Sequence, residues 1–171
     1  VARKLTEGDN ARYADRLKVS VPGNLAADMD ENSFEIILRN IVKNALEAGS
    51  SAPIVVKAGM VSGVGLVVMV RDRGRGMTSE VLEKAFEPFF HSRPAHQKYD
   101  HSAGVGLGLS VARRLSDAQG LKIKLRSEPG RGTTAFVTIP EALVRRSATR
   151  DNDKSHDLHL VDAQELEKKT G

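Results

Sequence analysis

"VGLVVMVRDRGRGM", Val64 to Met77, is an apolar run that ends on one carboxylate, Asp72, set beside glycines at alternate positions, Gly74 and Gly76. Arg71 precedes the acid, and Arg73 and Arg75 stand between it and the glycines. A short continuous apolar run rich in valine and closed by turn residues predicts a buried strand. A chain that leaves such a strand on a lone acid followed by glycines makes either a surface turn or a place where something flat and polar is recognised at close range.

Working outward, "PIVVKAGMV" precedes this run, and the Ser62-Gly63 pair between them predicts a hairpin. Upstream, Phe34, Ile37, Leu38, Ile41, Val42 and Ala45 recur at helical spacing. Asp30 or Asn32 would cap that helix, which runs to Ala48 and stops at Gly49. "DRLKVSVP", Asp15 to Pro22, alternates as a half-buried strand does. Downstream, Thr78 caps a short helix, residues 87–104 read as a long loop, and "GVGLGLSVARRLSDAQG" is a glycine-rich turn entering a helix that Gly120 ends. "LKIKLRSEPGRGTTAFVTIP" gives two strands around a Pro-Gly turn. The expected architecture is α+β: a two-layer sandwich, with helices on one face of a mixed, mostly antiparallel sheet. Residues 1–14 form a polar lead-in, 15–140 the domain, and 141–171 a linker-like or disordered tail with one amphipathic turn near Leu158 to Leu166.

Composition sets bounds on function. A chain of 171 residues suits one domain. With no cysteine, disulfides, thiolate metal sites and cysteine nucleophiles are excluded. The net charge of +4 is modest and the 4% aromatic content low, so a nucleic-acid platform is not expected. No apolar run reaches membrane-spanning length. The expectation is a soluble, cytoplasmic piece, whose first residue is not Met, of a parent that could itself be membrane-anchored.

Three further stretches carry chemistry. Asn40 and Asn44 lie four apart on one helix line, with Glu47 beyond, although asparagine is a poor interior helix former. A carboxamide oxygen suits Mg²⁺ when a polyphosphate supplies the negative charge; a solvated helix face explains the same residues. Gly104, Gly106 and Gly108 let backbone N–H groups approach a ligand at the positive end of the next helix. That turn is neither the dinucleotide fingerprint nor a P-loop, and a hinge explains it equally. The loop before it holds His91, Arg93, His96, Lys98 and His101, cations that suit a triphosphate on a flap. "EPGRGTTAFVTIP" alone is an ordinary hairpin.

In order, "NIVKNALEA", "DRGRGM", "FEPFF", "GVGLGLSVARRL" and "EPGRGTTAFVTIP" resemble the catalytic ATP-binding domain of bacterial sensor histidine kinases, across about residues 30 to 140. Its wider superfamily includes gyrase, the Hsp90 chaperones and the MutL proteins. The resemblance implies a Bergerat-type fold that binds ATP and Mg²⁺. It assigns Asp72 to the adenine amino group, Gly74, Gly76 and Met77 to the adenine floor, and Thr133 to the place behind the acid. Asn44 becomes the Mg²⁺ ligand, with Asn40 and Lys43 its companions. Gly104, Val105, Gly106, Leu107, Gly108 and Leu109 close on the phosphates, and Arg93 stands where relatives have a phosphate-contacting lysine. Asn40, Asn44 and Arg93 are the catalytic set.

Hydrolytic members of the superfamily carry a glutamate one turn before the Mg²⁺ asparagine. Here that position is Asn40, which cannot abstract a proton. The resemblance therefore implies phosphoryl transfer to a histidine on a separate helical dimerisation domain, and from there to a response regulator. Residues 1–30 contain no histidine, so that acceptor is not expected within this chain; His156 before Asp157 reads as tail composition. Alternatives on the same fold are a regulatory pseudokinase module and an anti-sigma-type serine kinase.

Overall fold

The computed structural model describes residues 15–22, 25–90 and 106–146. Strands Leu17–Ser20 (β1), Ile54–Val61 (β3), Gly65–Arg71 (β4), Lys122–Glu128 (β5) and Gly132–Pro140 (β6) form one sheet in the order β1-β3-β4-β6-β5. Every pairing is antiparallel except β1 with β3. That pair is parallel because the chain between them crosses over through helix Glu31–Glu47 (α1), as parallel neighbours require.

β4 occupies the centre, and its apolar run is buried on both faces. Leu66, Val68 and Val70 point to the main core, together with Phe34, Ile37, Leu38, Ile41, Val42 and Ala45 of α1. Val67 and Met69 point the other way and join Phe136. Helix Gly108–Ala118 (α3) packs beside α1 on the core side and contributes Ala112. Each fully buried aliphatic side chain, such as Ile37 or Ile139, contributes about 1.5–3 kcal/mol relative to exposure.

Local signals act where expected. The Asp30 carboxylate accepts from the Ser33 N–H at 2.8 Å and opens α1. Thr78 does the same for helix Ser79–Lys84 (α2) through Val81. Gly49 and Gly120 follow their helices with positive φ.

The boundary at residue 140 needs correction. The chain continues through a 3-10 turn, Glu141–Leu143, into strand Val144–Arg146 (β7), which pairs with strand Leu25–Ala27 (β2). Leu143 and Val144 pack on the core, and the Asp28 N–H donates to the Leu143 carbonyl at 2.7 Å. Arg145 closes an ion pair with Asp28 at 2.6 Å. The lead-in 1–14, most of the long loop and 147–171 lie outside the described residues.

Candidate nucleotide-binding site

One cleft of about 410 Å³ opens between α1, the β4–α2 loop, the start of α3 and the start of β6. Asn40, Lys43, Asn44, Asp72, Gly76, Met77, Gly106, Leu107, Gly108, Leu109 and Thr133 all line it. The sequence-predicted residues are therefore brought together from four separated segments. Gly74 is buried but does not line the cleft. Arg93, Gly104 and Val105 lie outside the described residues, as do the loop histidines.

Asp72 leaves the end of β4 and is 5% exposed. Its Oδ1 accepts from the Gly74 N–H at 2.7 Å and the Thr133 N–H at 3.2 Å. Both bonds fall on one oxygen, which leaves Oδ2 to accept from a ligand. Burial pushes the Asp72 carboxyl up from its ordinary pKa, and the two amides and Arg75 oppose that shift. A donor supplied by a ligand offsets the desolvation of the charged form.

The backbone around this acid is clamped. The Asp72 N–H donates to the Thr133 carbonyl at 2.9 Å, and the Arg75 N–H to the Ala48 carbonyl at 3.0 Å. The Ser127 hydroxyl takes the Met77 N–H at 2.8 Å and lies 2.9 Å from Thr133 Oγ1. Gly74 is required because a Cβ there would overlap Ala48 at the end of α1. At Gly76 it would overlap the Glu128 carbonyl. The glycines thus press the loop onto α1 and the β5–β6 hairpin, and the recess beside Asp72 follows from that packing.

At the other end, α3 starts on Gly108 with no side-chain cap at Leu107. Its first N–H groups and positive dipole end are available to an anion. A Cβ at Gly108 would lie 3.2 Å from Asn40 Oδ1 and 3.7 Å from Asn44 Nδ2, so the helix start sits directly against both carboxamides. The buried Asn44 Nδ2 has no hydrogen-bond partner among the described residues. The carboxamide can therefore turn its oxygen to a cation without breaking a bond at that nitrogen, and this fits a Mg²⁺–polyphosphate. Lys43 pairs with Glu47 at 3.8 Å on the cleft rim.

Gly108→Ala tests this contact. Its backbone is ordinary helix, so the fold should hold or gain slightly in stability. The added methyl must displace Asn40, and we expect roughly a 10-fold loss of nucleotide affinity. Thermal melts and nucleotide titrations on one preparation separate the two effects.

Several lining residues carried no sequence signal. Ala48, Val81, Ala85, Leu125 and Ala135 make the apolar walls; Ser127 does not line the cleft but holds Met77 and Thr133, which do, from a strand whose pattern gives no reason to single it out. Phe86 packs against the core with the Arg113 guanidinium 4.0 Å from its ring centroid.

A family model, the histidine kinase-, DNA gyrase B- and HSP90-like ATPases, matches residues 29–143. The chain is 30% identical over 143 residues to the sensor histidine kinase AtsR of Burkholderia thailandensis, covering 82% of this chain and 23% of the relative. It is 36% identical over 125 residues to the sensor protein KdpD of Mycobacterium tuberculosis, covering 73% of this chain and 14% of the relative. It thus spans about a quarter or less of these curated relatives' length. Among solved structures, the catalytic domain of the histidine kinase ThkA superposes with a TM-score of 0.62 at 23% identity, covering 82% of this chain and 90% of that one. The mycobacterial sensor histidine kinase MprB gives 0.61 at 18% identity, covering 75% and 85%. The expected two-layer α+β fold is the fold of these neighbours. With the match spanning the helix, the acid loop and the glycine-rich turn that build the cleft, the chain belongs to the histidine kinase-, DNA gyrase B- and HSP90-like ATPase family.

Proposed function

We propose that this chain is the ATP-binding catalytic domain of a two-component sensor histidine kinase, and that it positions Mg²⁺-ATP for transfer of the γ-phosphate to a histidine on a separate helical dimerisation domain. The observation that carries this reading is one cleft with a buried carboxylate at one end and two carboxamides against a helix N-terminus at the other. Asp72 Oδ2 accepts from the adenine amino group. Gly106 to Leu109 present N–H groups to the phosphates. Asn44, with Asn40 beside it, offers carboxamide oxygen to Mg²⁺, which when bound neutralises phosphate charge. Gly104, Val105 and Arg93, in the adjoining segment, complete the phosphate contacts on the strength of the family resemblance.

Asn40 decides the direction of the chemistry. It can orient a ligand but cannot take a proton from water, so this cleft favours a protein acceptor over hydrolysis. A response regulator then receives the phosphoryl group downstream, and the domain works on the cytoplasmic side. Among the described residues, no helix is long and apolar enough to cross a membrane.

Calorimetric titration with ATP and Mg²⁺, followed by incubation with a helical acceptor domain and radiolabelled ATP, tests the proposal. We expect saturable one-to-one binding and acid-labile label on the acceptor histidine. Absence of nucleotide binding overturns the assignment. Steady phosphate release without labelled acceptor places the chain with the hydrolytic members instead.

A further inference from the structure

The sheet face turned away from the helices has a composition unlike the rest of the molecule. The register places Lys18, Lys57, Arg71, Lys122, Lys124 and Arg126 on that face, in neighbouring cross-strand rows with Val67, Met69 and Phe136 between them. Among the described residues no Asp or Glu shares those rows; Glu128, on the same face one row further along β5, pairs with Arg131 at 3.2 Å. Arg126 stacks over Phe136 at 5.7 Å, and the aliphatic stems of such side chains shield an apolar stripe while their charges stay in water. Between β1 and β4 the face deepens into a groove of about 610 Å³, lined by Lys18, Lys57, Arg71 and Arg73 over Val55 and Met69, with no carboxylate among the described residues.

A concentrated patch of one sign fits a partner of the other. The chain carries one. Asp151 to Glu167 holds six carboxylates against a single lysine, with Leu158, Leu160, Val161 and Leu166 spaced through it. This segment follows Arg146 and lies outside the described residues. Reach is no obstacle. Eleven residues beyond Arg146 extend up to about 36–40 Å, comparable to the diameter of a domain of this size, whose radius of gyration is about 14 Å. Covalent linkage gives the segment an effective concentration on the order of millimolar, well above that of an untethered acidic protein.

We propose that the acidic segment Asp151–Glu167 docks on the basic outer face of the sheet, over the groove between β1 and β4. The contact is mainly electrostatic, because the apolar stripe beneath is already buried. It leaves the nucleotide cleft, on the opposite side of the sheet, open.

Zero-length carbodiimide coupling on the full chain, read by mass spectrometry, tests it. We expect Asp and Glu of 151–167 to couple within one molecule to Lys18 and Lys57, well above Lys43 or Lys84 on the helix side. Raising salt to about 0.5 M should cut the yield roughly five-fold by screening. Arg71→Gln with Arg73→Gln removes two groove charges without removing a coupling site, and should lower the Lys57 yield by a similar factor; the salt series stands if that variant does not fold. Equal coupling to all lysines, coupling only between molecules, or yields indifferent to salt overturn the proposal. The second of these would assign the face to another copy of the chain.

Discussion

Asp72→Asn is expected to weaken ATP binding by about 100-fold, or about 2.8 kcal/mol, while the domain stays folded. The size follows from which atom must stay where. Gly74 and Thr133 both aim N–H groups at Oδ1, so an asparagine must keep its oxygen there to avoid facing two donors with a third. Its Nδ2 then takes the place of Oδ2 and presents a donor to the adenine amino group. Acceptor becomes donor, and a favourable charged hydrogen bond becomes a clash of two donors. The same exchange suits a base with a carbonyl at that position, so the variant's relative preference for GTP or ITP over ATP should rise. Titrating all three nucleotides against both proteins, with circular dichroism as the fold control, gives the answer. Wild-type affinity for ATP in the variant removes Asp72 from the adenine contact.

The geometry around Asp72 is only partly legible in the sequence. The amphipathic spacing in α1 and the two-sided apolar run of β4 predicted the core, because each has one dominant period and a clear cap or turn at its end. Asp72 and the Asn40–Asn44 pair stood out because a lone acid after a buried strand and two asparagines inside a helix run against local preference. What stayed hidden depended on the third dimension. β2 and β7 are three residues each, too short for any period, and pair only because distant parts of the chain arrive together. Ser127 looks like any polar strand residue until it is seen bridging Met77 and Thr133. The family resemblance gives Gly74 and Gly76 to the adenine floor, yet both are demanded first by protein atoms.

Gly76→Ala turns that last point into a measurement. Gly76 has φ +65°, and a Cβ built on it would overlap the Glu128 carbonyl oxygen and lie 3.2 Å from the Gly132 oxygen. Left-handed backbone in a non-glycine residue is expected to add about 1–3 kcal/mol. Forcing a methyl into backbone that is itself fixed by a β5–β6 pairing adds about 1–3 kcal/mol more. Together these predict a loss of about 2–6 kcal/mol and a fall in melting temperature on the order of 10 °C. Gly49→Ala is the control: its φ is +85°, but nothing lies within 4 Å of the added methyl. It should show the conformational part alone, about 1 kcal/mol. Denaturant melts of the two variants therefore separate strain from collision. Equal losses would mean that the acid loop is free to lift off the hairpin. A larger loss at Gly76 would mean that the loop, and with it Asp72, is held by steric contact before any ligand arrives.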